Sequence, residues 1–214
     1  MPSRTMKIKV CGMKFAANIA SVAALKPDYL GFIFYEQSPR FINEVSAELI
    51  KYIPQEIKTV GVFVDEEVEK IKEKVNQHQL NAVQLHGGES VEDCSNLKSS
   101  IPGLEIIKAF GLDEDFDFSI LVPYTDVVDY FLFDTKTKAH GGSGKTFDWS
   151  ILDGYTLNKA YFLSGGIDLE HAEPITKIND ARLYALDVNS RFELEPGLKN
   201  ADRIAEFINK ISLV

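Results

Sequence analysis

The chain has few cysteines and no histidine cluster of the kind that binds a metal. Its 214 residues include two cysteines, Cys11 and Cys94, which have neither the CxxC spacing nor the neighbouring histidines of a zinc site. Two cysteines are too few for a disulfide scaffold, and we expect both thiols to be reduced in a cytoplasmic protein. The four histidines show no HExxH or similar spacing, so the sequence predicts no metal site.

Clustered positive charge and long apolar runs are also missing. The chain has 32 Asp and Glu against 23 Lys and Arg, a formal net charge of −9. No nucleic-acid partner is expected, because a phosphate backbone requires clustered cations to displace its counterions. No stretch approaches the ~20 apolar residues of a membrane span, so no membrane partner is expected either. We expect residues 1–5 to form a loose extension ahead of the fold.

The chain does contain a repeated alternation of apolar strands and helical segments. The strands are expected at eight runs: 7–11, 29–34, 59–64, 82–87, 105–111, 130–135, 160–166 and 183–189. These runs lack a polar face, which is typical of parallel strands covered by helices. The segments between them suit crossover helices, most clearly at 66–77, whereas the fifth, DEDFDFSILVPYTD, is weak as a helix. With no linker composition, we predict one α/β domain over residues 6–214, a (β/α)8 barrel, with an open doubly wound sheet as the alternative.

Polar residues at the carboxyl ends of barrel strands are candidates for chemistry, because barrel active sites lie there. Cys11 ends the first strand and Asp134 ends the sixth. Taken singly, Cys11 suits a buried packing residue and Asp134 a helix cap or loop residue. Together they suggest a base and an acid, because neighbouring cations help a thiol to lose its proton and apolar surroundings help a carboxyl group to keep one.

Other strand ends suggest an anionic ligand. Arg40 follows the second strand in a loop stiffened by Pro39, so it is a candidate clamp for a carboxylate as well as an ordinary solvated charge. Three segments late in the chain suit a phosphate site, since barrels bind phosphate through backbone N–H groups of the last loops. Each segment alone would suit an ordinary turn. The predicted binding residues are Gly142, Ser143, Gly144, Gly165, Gly166, Asp187, Asn189 and Ser190.

Two further features of the sequence are assigned no function. The segment 139–146 matches a nucleotide-binding P-loop except at its first residue, Ala139. Its context does not fit, because the preceding strand ends several residues earlier at Asp134 and no helical pattern follows directly. His86 ends the fourth strand, where it could line the cavity, but an isolated histidine is more often structural and we assign it no catalytic role.

A series of short motifs resembles the phosphoribosylanthranilate isomerase family, whose members are (β/α)8 enzymes of tryptophan biosynthesis. In chain order the motifs are KVCGM, GFIF, SPRF, VGVF, VQLHG, LFD, GGSG with TFDW, SGG and DV. They run from the first strand to the eighth and cover essentially the whole chain.

The resemblance implies an Amadori rearrangement of N-(5-phosphoribosyl)anthranilate to 1-(2-carboxyphenylamino)-1-deoxyribulose 5-phosphate, without metal or organic cofactor. It implies that Cys11 is the base that removes the C2′ proton, that Asp134 is the acid that protonates the ribose ring oxygen, and that Arg40 holds the anthranilate carboxylate. The glycine segments match the family's phosphate site. The chain departs from the family's Ser-Ser-Gly-Val-Glu after the last strand, where Arg191 stands in the place of glycine.

Two other functions fit the same residues. One is another phosphosugar isomerase or epimerase built on a barrel, in which Arg40 would have no anthranilate to hold. The other is a non-catalytic protein that binds a phosphorylated ligand. In all three cases the expected partner is a phosphorylated small molecule, and the sequence leaves the oligomeric state open.

Overall fold

The computed structural model describes residues 6–45, 53–135 and 149–212, and in these ranges eight parallel strands close into a barrel. Each strand pairs with the next along the chain, and β8 pairs with β1. The strands are β1 (Lys7–Val10), β2 (Tyr29–Ile33), β3 (Lys58–Phe63), β4 (Ala82–Leu85), β5 (Glu105–Leu112), β6 (Tyr130–Thr135), β7 (Tyr161–Leu163) and β8 (Leu183–Val188). The predicted barrel is confirmed, and the pairing of β1 with β8 excludes an open sheet. The predicted extension, residues 1–5, lies outside the described residues.

Helices cover the barrel. They are α1 (Ala16–Ala23), α2 (Val68–His78), α3 (Val91–Ser100), α4 (Ala172–Thr176) and α5 (Ala201–Ser212). The segment predicted to be weak as a helix is a 3-10 helix over Phe118–Tyr124 that contains Pro123, which lacks the N–H needed to continue an α-helix. Further 3-10 turns cover Trp149–Gly154, Leu169–His171 and Ser190–Phe192. No helix in the described ranges is long and apolar enough to cross a membrane.

A short hairpin follows β8. It consists of β9 (Glu193–Glu195) and β10 (Leu198–Lys199), which are antiparallel. The turn between them contains Gly197 with φ 89°, a left-handed conformation that favours glycine. Two charged side chains of the hairpin, Glu193 and Lys199, are buried.

Alternate residues of each strand face the inside of the barrel, because successive side chains of a strand point to opposite faces. Lys9 of β1 pairs in register with Asp187 of β8, and their side chains meet inside. Ile8 and Val10, with the opposite orientation, belong to the apolar layer that includes residues of α1. The interior is filled by a separate cluster: Tyr29, Val60, Ala82, Ile107, Ala109, Leu132, Phe162 and Ala185. Above this packed layer, the inward-facing residues at the carboxyl ends of the strands surround an open pocket.

Candidate active site

A pocket opens at the carboxyl ends of the strands, where the active sites of barrel enzymes lie. The predicted site residues that line it are Cys11, Arg40, Asp134, Gly165, Gly166, Asp187, Asn189 and Ser190. The structure therefore brings together every predicted site residue that it describes. Gly142, Ser143 and Gly144 lie outside the described residues.

Cys11 is buried in the wall of this pocket, directly after β1. Its neighbour in β2 is Gly31, where an added Cβ would lie 2.9 Å from the Cys11 Sγ atom. Burial raises the pKa of the Cys11 thiol, and the ammonium groups of Lys9 and Lys199 lower it. The cations that a thiol base requires are present, but the net pKa is raised, so they offset the effect of burial only in part.

Lys9 and Asp187 form a buried ion pair beside this thiol. The Lys9 Nζ atom lies 2.8 Å from Oδ2 of Asp187 and 2.7 Å from Oε1 of Gln84. Burial lowers the pKa of Lys9, but Asp187 and Cys11 raise it by more, so Lys9 carries its charge. Asp187 was predicted from the sequence to be one of the phosphate ligands. Its geometry associates it with the base instead, because its carboxyl group contacts Lys9, the ammonium group that lowers the pKa of Cys11. Burial raises the pKa of Asp187, and Lys9 opposes this effect.

Asp134 lies at the end of β6, where its side chain is 16% exposed to the pocket. The His86 Nε2 atom lies 3.5 Å from Oδ2 of Asp134, and Nδ1 of the same ring lies 2.8 Å from Nε2 of Gln84. His86, to which the sequence analysis assigned no role, therefore lies beside the candidate acid.

Arg40 is oriented by Glu193 of the β9–β10 hairpin. Its Nε and Nη2 atoms donate to this carboxylate at 2.9 and 2.6 Å. The Lys199 Nζ atom donates to the same carboxylate at 2.6 Å and to Oδ1 of Asn189, also at 2.6 Å. Burial lowers the pKa of Lys199 to about 8, although Glu193 opposes this effect. With Lys199 protonated, two cations share one anion, so this side of the pocket has excess positive charge.

The absence of a side chain at Gly12 leaves space for the side chains of Arg40 and Asn189. It has φ 76°, and a Cβ at this position would lie 2.8 Å from Cδ of Arg40 and 2.9 Å from Oδ1 of Asn189. A side chain here would therefore strain the backbone and displace the guanidinium of Arg40.

The candidate phosphate end of the pocket follows β7 and β8. Gly165 and Gly166 have φ values of 91° and 66°, which favour glycine, and the 3-10 turn over Ser190–Phe192 begins beside them in the pocket lining. Arg191 also lines the pocket. It is not among the described non-glycine residues with positive φ, so this chain does not need glycine at that position.

The model of the family described as N-(5'phosphoribosyl)anthranilate (PRA) isomerase matches residues 8–210. The chain belongs to this family. It is therefore an enzyme, an isomerase of tryptophan biosynthesis, and the family resemblance noted in the sequence is confirmed.

Relatives of the PRA isomerase family match over nearly their full length. The chain is 46% identical to the N-(5'-phosphoribosyl)anthranilate isomerase of Parabacteroides distasonis, covering 96% of this chain and 93% of the relative. The crystal structure of phosphoribosyl anthranilate isomerase from Thermotoga maritima has a TM-score of 0.84 at 36% identity, over 98% of this chain and 100% of that one. A phosphoribosyl anthranilate isomerase in complex with reduced 1-(o-carboxyphenylamino)-1-deoxyribulose 5-phosphate has a TM-score of 0.81 at 32% identity, with the same coverage.

Several residues that the structure places around the pocket were not predicted from the sequence. Lys9 and Gln84 lie two residues before Cys11 and His86, so strand alternation alone would have placed them inside the barrel. Glu193 and Lys199 had no such signal, because they lie beyond the last barrel strand in a hairpin whose position depends on the tertiary fold.

Proposed function

We propose that the chain catalyses the Amadori rearrangement of N-(5-phosphoribosyl)anthranilate to 1-(2-carboxyphenylamino)-1-deoxyribulose 5-phosphate, with Cys11 as base and Asp134 as acid. The observation that carries this proposal is that a thiol flanked by cations and a carboxyl group at a strand end line the same pocket. The ligand of the solved relative supports the substrate class, since its carboxyphenyl and phosphate groups suit Arg40 and the glycine segments.

Asp134 opens the ribose ring. In its protonated form it donates to the ring oxygen, the C1′–O bond breaks, and the anthranilate nitrogen and C1′ form a protonated Schiff base. The carboxylate that remains is next to His86, whose Nε2 lies 3.5 Å away. A polar neighbour at this point stabilises charge that appears only as the proton leaves, which favours the transition state over the ground state.

Cys11 then removes the C2′ proton as a thiolate, and the electron pair moves to the Schiff base to give an enol. Tautomerisation gives the ketone: C1′ gains a proton and the C2′ hydroxyl loses one. If the Cys11 thiol supplies the first proton and the Asp134 carboxylate accepts the second, both groups return to their starting forms. Lys9 and Lys199 assist by stabilising the thiolate, because each lowers the thiol pKa.

Substrate binding is divided between two regions of the pocket. Arg40, oriented by Glu193, binds the anthranilate carboxylate. Backbone N–H groups of Gly165, Gly166 and Ser190 bind the phosphate, together with residues 142–144. Asn189 acts through Lys199, since its carboxamide oxygen accepts from that ammonium group. We take the single barrel of residues 6–214 as the catalytic unit and place it in the cytoplasm, in line with its two free cysteines.

Turnover of freshly made N-(5-phosphoribosyl)anthranilate, followed as loss of anthranilate-type fluorescence, tests the proposal. The parent enzyme should consume the substrate, and Cys11→Ala and Asp134→Asn should each lower kcat by a factor on the order of 10² or more. Cys94→Ala, the same substitution at a cysteine of α3 outside the pocket lining, serves as the control. A folded Cys11→Ala or Asp134→Asn protein with parental kcat would remove that residue from the mechanism. Binding without turnover would favour the non-catalytic alternative.

A further inference from the structure

Four polar side chains form a connected row across the inside of the barrel, from beside the candidate base to the candidate acid. Lys9 of β1 contacts Gln84 of β4 at 2.7 Å, Gln84 contacts His86 at 2.8 Å, and His86 lies 3.5 Å from Asp134 of β6. Lys9 is fully buried and Gln84 is 2% exposed, so water does not compete for the contact between these two side chains. The direction of each hydrogen bond in such a row follows from the chemistry of its ends.

Lys9, the charged end of the row, determines the direction of each hydrogen bond that follows. A protonated lysine has three N–H donors and no acceptor, so the Gln84 atom that faces Lys9 is the carbonyl oxygen. The carboxamide nitrogen of Gln84 then faces His86, and it can only donate. The Nδ1 atom of His86 must therefore accept, which leaves the proton of the neutral ring on Nε2, the nitrogen that faces Asp134.

We propose that Gln84, oriented by Lys9, is a positioning residue that holds His86 as its Nε2–H tautomer, so that the imidazole donates toward Asp134 and leaves the proton of the acid to the substrate. This inference rests on the proposed function of Asp134. The opposite tautomer would present a lone pair to the acid. The proton of Asp134 would then bond to the imidazole instead of the ribose ring oxygen. The carboxylate that Asp134 becomes on ring opening would also lose a hydrogen-bond donor.

Two other histidines, His78 and His171, provide references for the two tautomers. The Nδ1 atom of His78 lies 3.2 Å from the carbonyl oxygen of Val45, which can only accept, so neutral His78 carries its proton on Nδ1. The Nδ1 atom of His171 accepts from the backbone N–H of Asp168 at 2.9 Å, so neutral His171 carries its proton on Nε2. His86 is expected to match His171 and to differ from His78.

Long-range ¹H–¹⁵N NMR spectra of the full chain labelled at histidine distinguish the tautomers, because protonated and unprotonated ring nitrogens resonate far apart. The His86 signals are assigned by their loss in His86→Asn. We expect a protonated Nε2 in the parent protein. In Gln84→Glu the new carboxylate can only accept, so Nδ1 of His86 becomes protonated while the signals of His78 and His171 stay unchanged.

The kinetic effect should accompany the change of tautomer. Gln84→Glu should lower kcat roughly tenfold to a hundredfold with KM within about threefold, since part of the 10² to 10⁴ that general acid catalysis supplies is lost. Gln77→Glu, the same substitution at an exposed position of α2, should keep parental kinetics and the parental His86 spectrum.

Three results would overturn the proposal: a protonated Nδ1 in the parent protein, an unchanged tautomer in Gln84→Glu, or a reversed tautomer with parental kcat. If Gln84→Glu does not fold, Gln84→Met replaces it; signals of both tautomers are expected there, and a retained pure Nε2–H form would contradict the role of Gln84. The spectrum is independent of turnover. A parent enzyme without turnover would therefore reject the proposed function, while the spectrum would still decide the tautomer.

Discussion

Arg40 and Glu193 form a two-point ion pair at the mouth of the barrel, with Nη2 2.6 Å from Oε2 and side chains only 11% and 5% exposed. The guanidinium is therefore oriented before any ligand arrives, which reduces the side-chain entropy lost on binding. Because Lys199 bonds to the same carboxylate, the pair retains an excess of positive charge when Lys199 is protonated. A carboxylate-bearing substrate would meet a preorganised cation.

Replacement of Arg40 by alanine should weaken binding of the carboxylate-bearing substrate. The binding free energy should fall by about 1.5 to 3 kcal/mol, the contribution of a charge-assisted hydrogen bond. This loss should raise KM and affect kcat less. Arg40→Lys should fall between parent and Arg40→Ala, because an ammonium group keeps the charge but not the two-point geometry. Steady-state kinetics measure the difference, and unchanged KM and kcat in Arg40→Ala would make Arg40 a solvated loop charge.

The Cys11 thiol should have a pKa above that of an ordinary cysteine. Burial raises its pKa from 9.0, and the opposing cations Lys9 and Lys199 offset this only in part. The thiolate fraction of the free enzyme therefore increases with pH and has no plateau below about pH 9. The difference in thiolate absorbance between the parent protein and Cys11→Ala, recorded during a pH titration, isolates this group from Cys94. A midpoint below 9 would show that the cations outweigh burial.

Gly31→Ala should reduce kcat at least about tenfold, within the range that a displaced base costs. The new Cβ would lie 2.9 Å from Sγ of Cys11, so the thiol must move. Overpacking of this kind also lowers the free energy of unfolding by about 1 to 3 kcal/mol. Gly88→Ala is the control, because its Cβ would lie 3.5 Å from the nearest atom, an ordinary contact. Parental kcat in Gly31→Ala would mean that the position of the thiol is not critical.

Arg191→Gly should leave KM within about threefold of the parent and its salt dependence unchanged, because the Arg191 side chain is exposed and an exposed charge contributes little at physiological ionic strength. The backbone at Arg191 does not have the positive φ that would require glycine, so the substitution relieves no strain. The measurement is KM at low and high salt. A tenfold or larger rise in KM that shrinks at high salt would identify Arg191 as a ligand of the phosphate.

Part of the site followed from the sequence alone. Cys11 and Asp134 end apolar runs, and in a parallel barrel the carboxyl ends of all strands meet at one mouth, so their presence in one pocket could be predicted without coordinates. The same alternation that places Cys11 inside also places Lys9 inside, two residues earlier. A local period therefore determined the barrel, the ends of its strands and the residues that face its interior.

The partners of those residues were decided only by the tertiary structure. Arg40 and Glu193 are 153 positions apart, and Lys9 and Gln84 are 75 apart, so no local pattern in the chain connects them. His86 was interpreted as structural because its neighbour Asp134 lies on another strand. Hydrogen bonds, ion pairs and pKa shifts depend on distances of a few ångströms between side chains, and such distances between remote segments exist only once the barrel has closed.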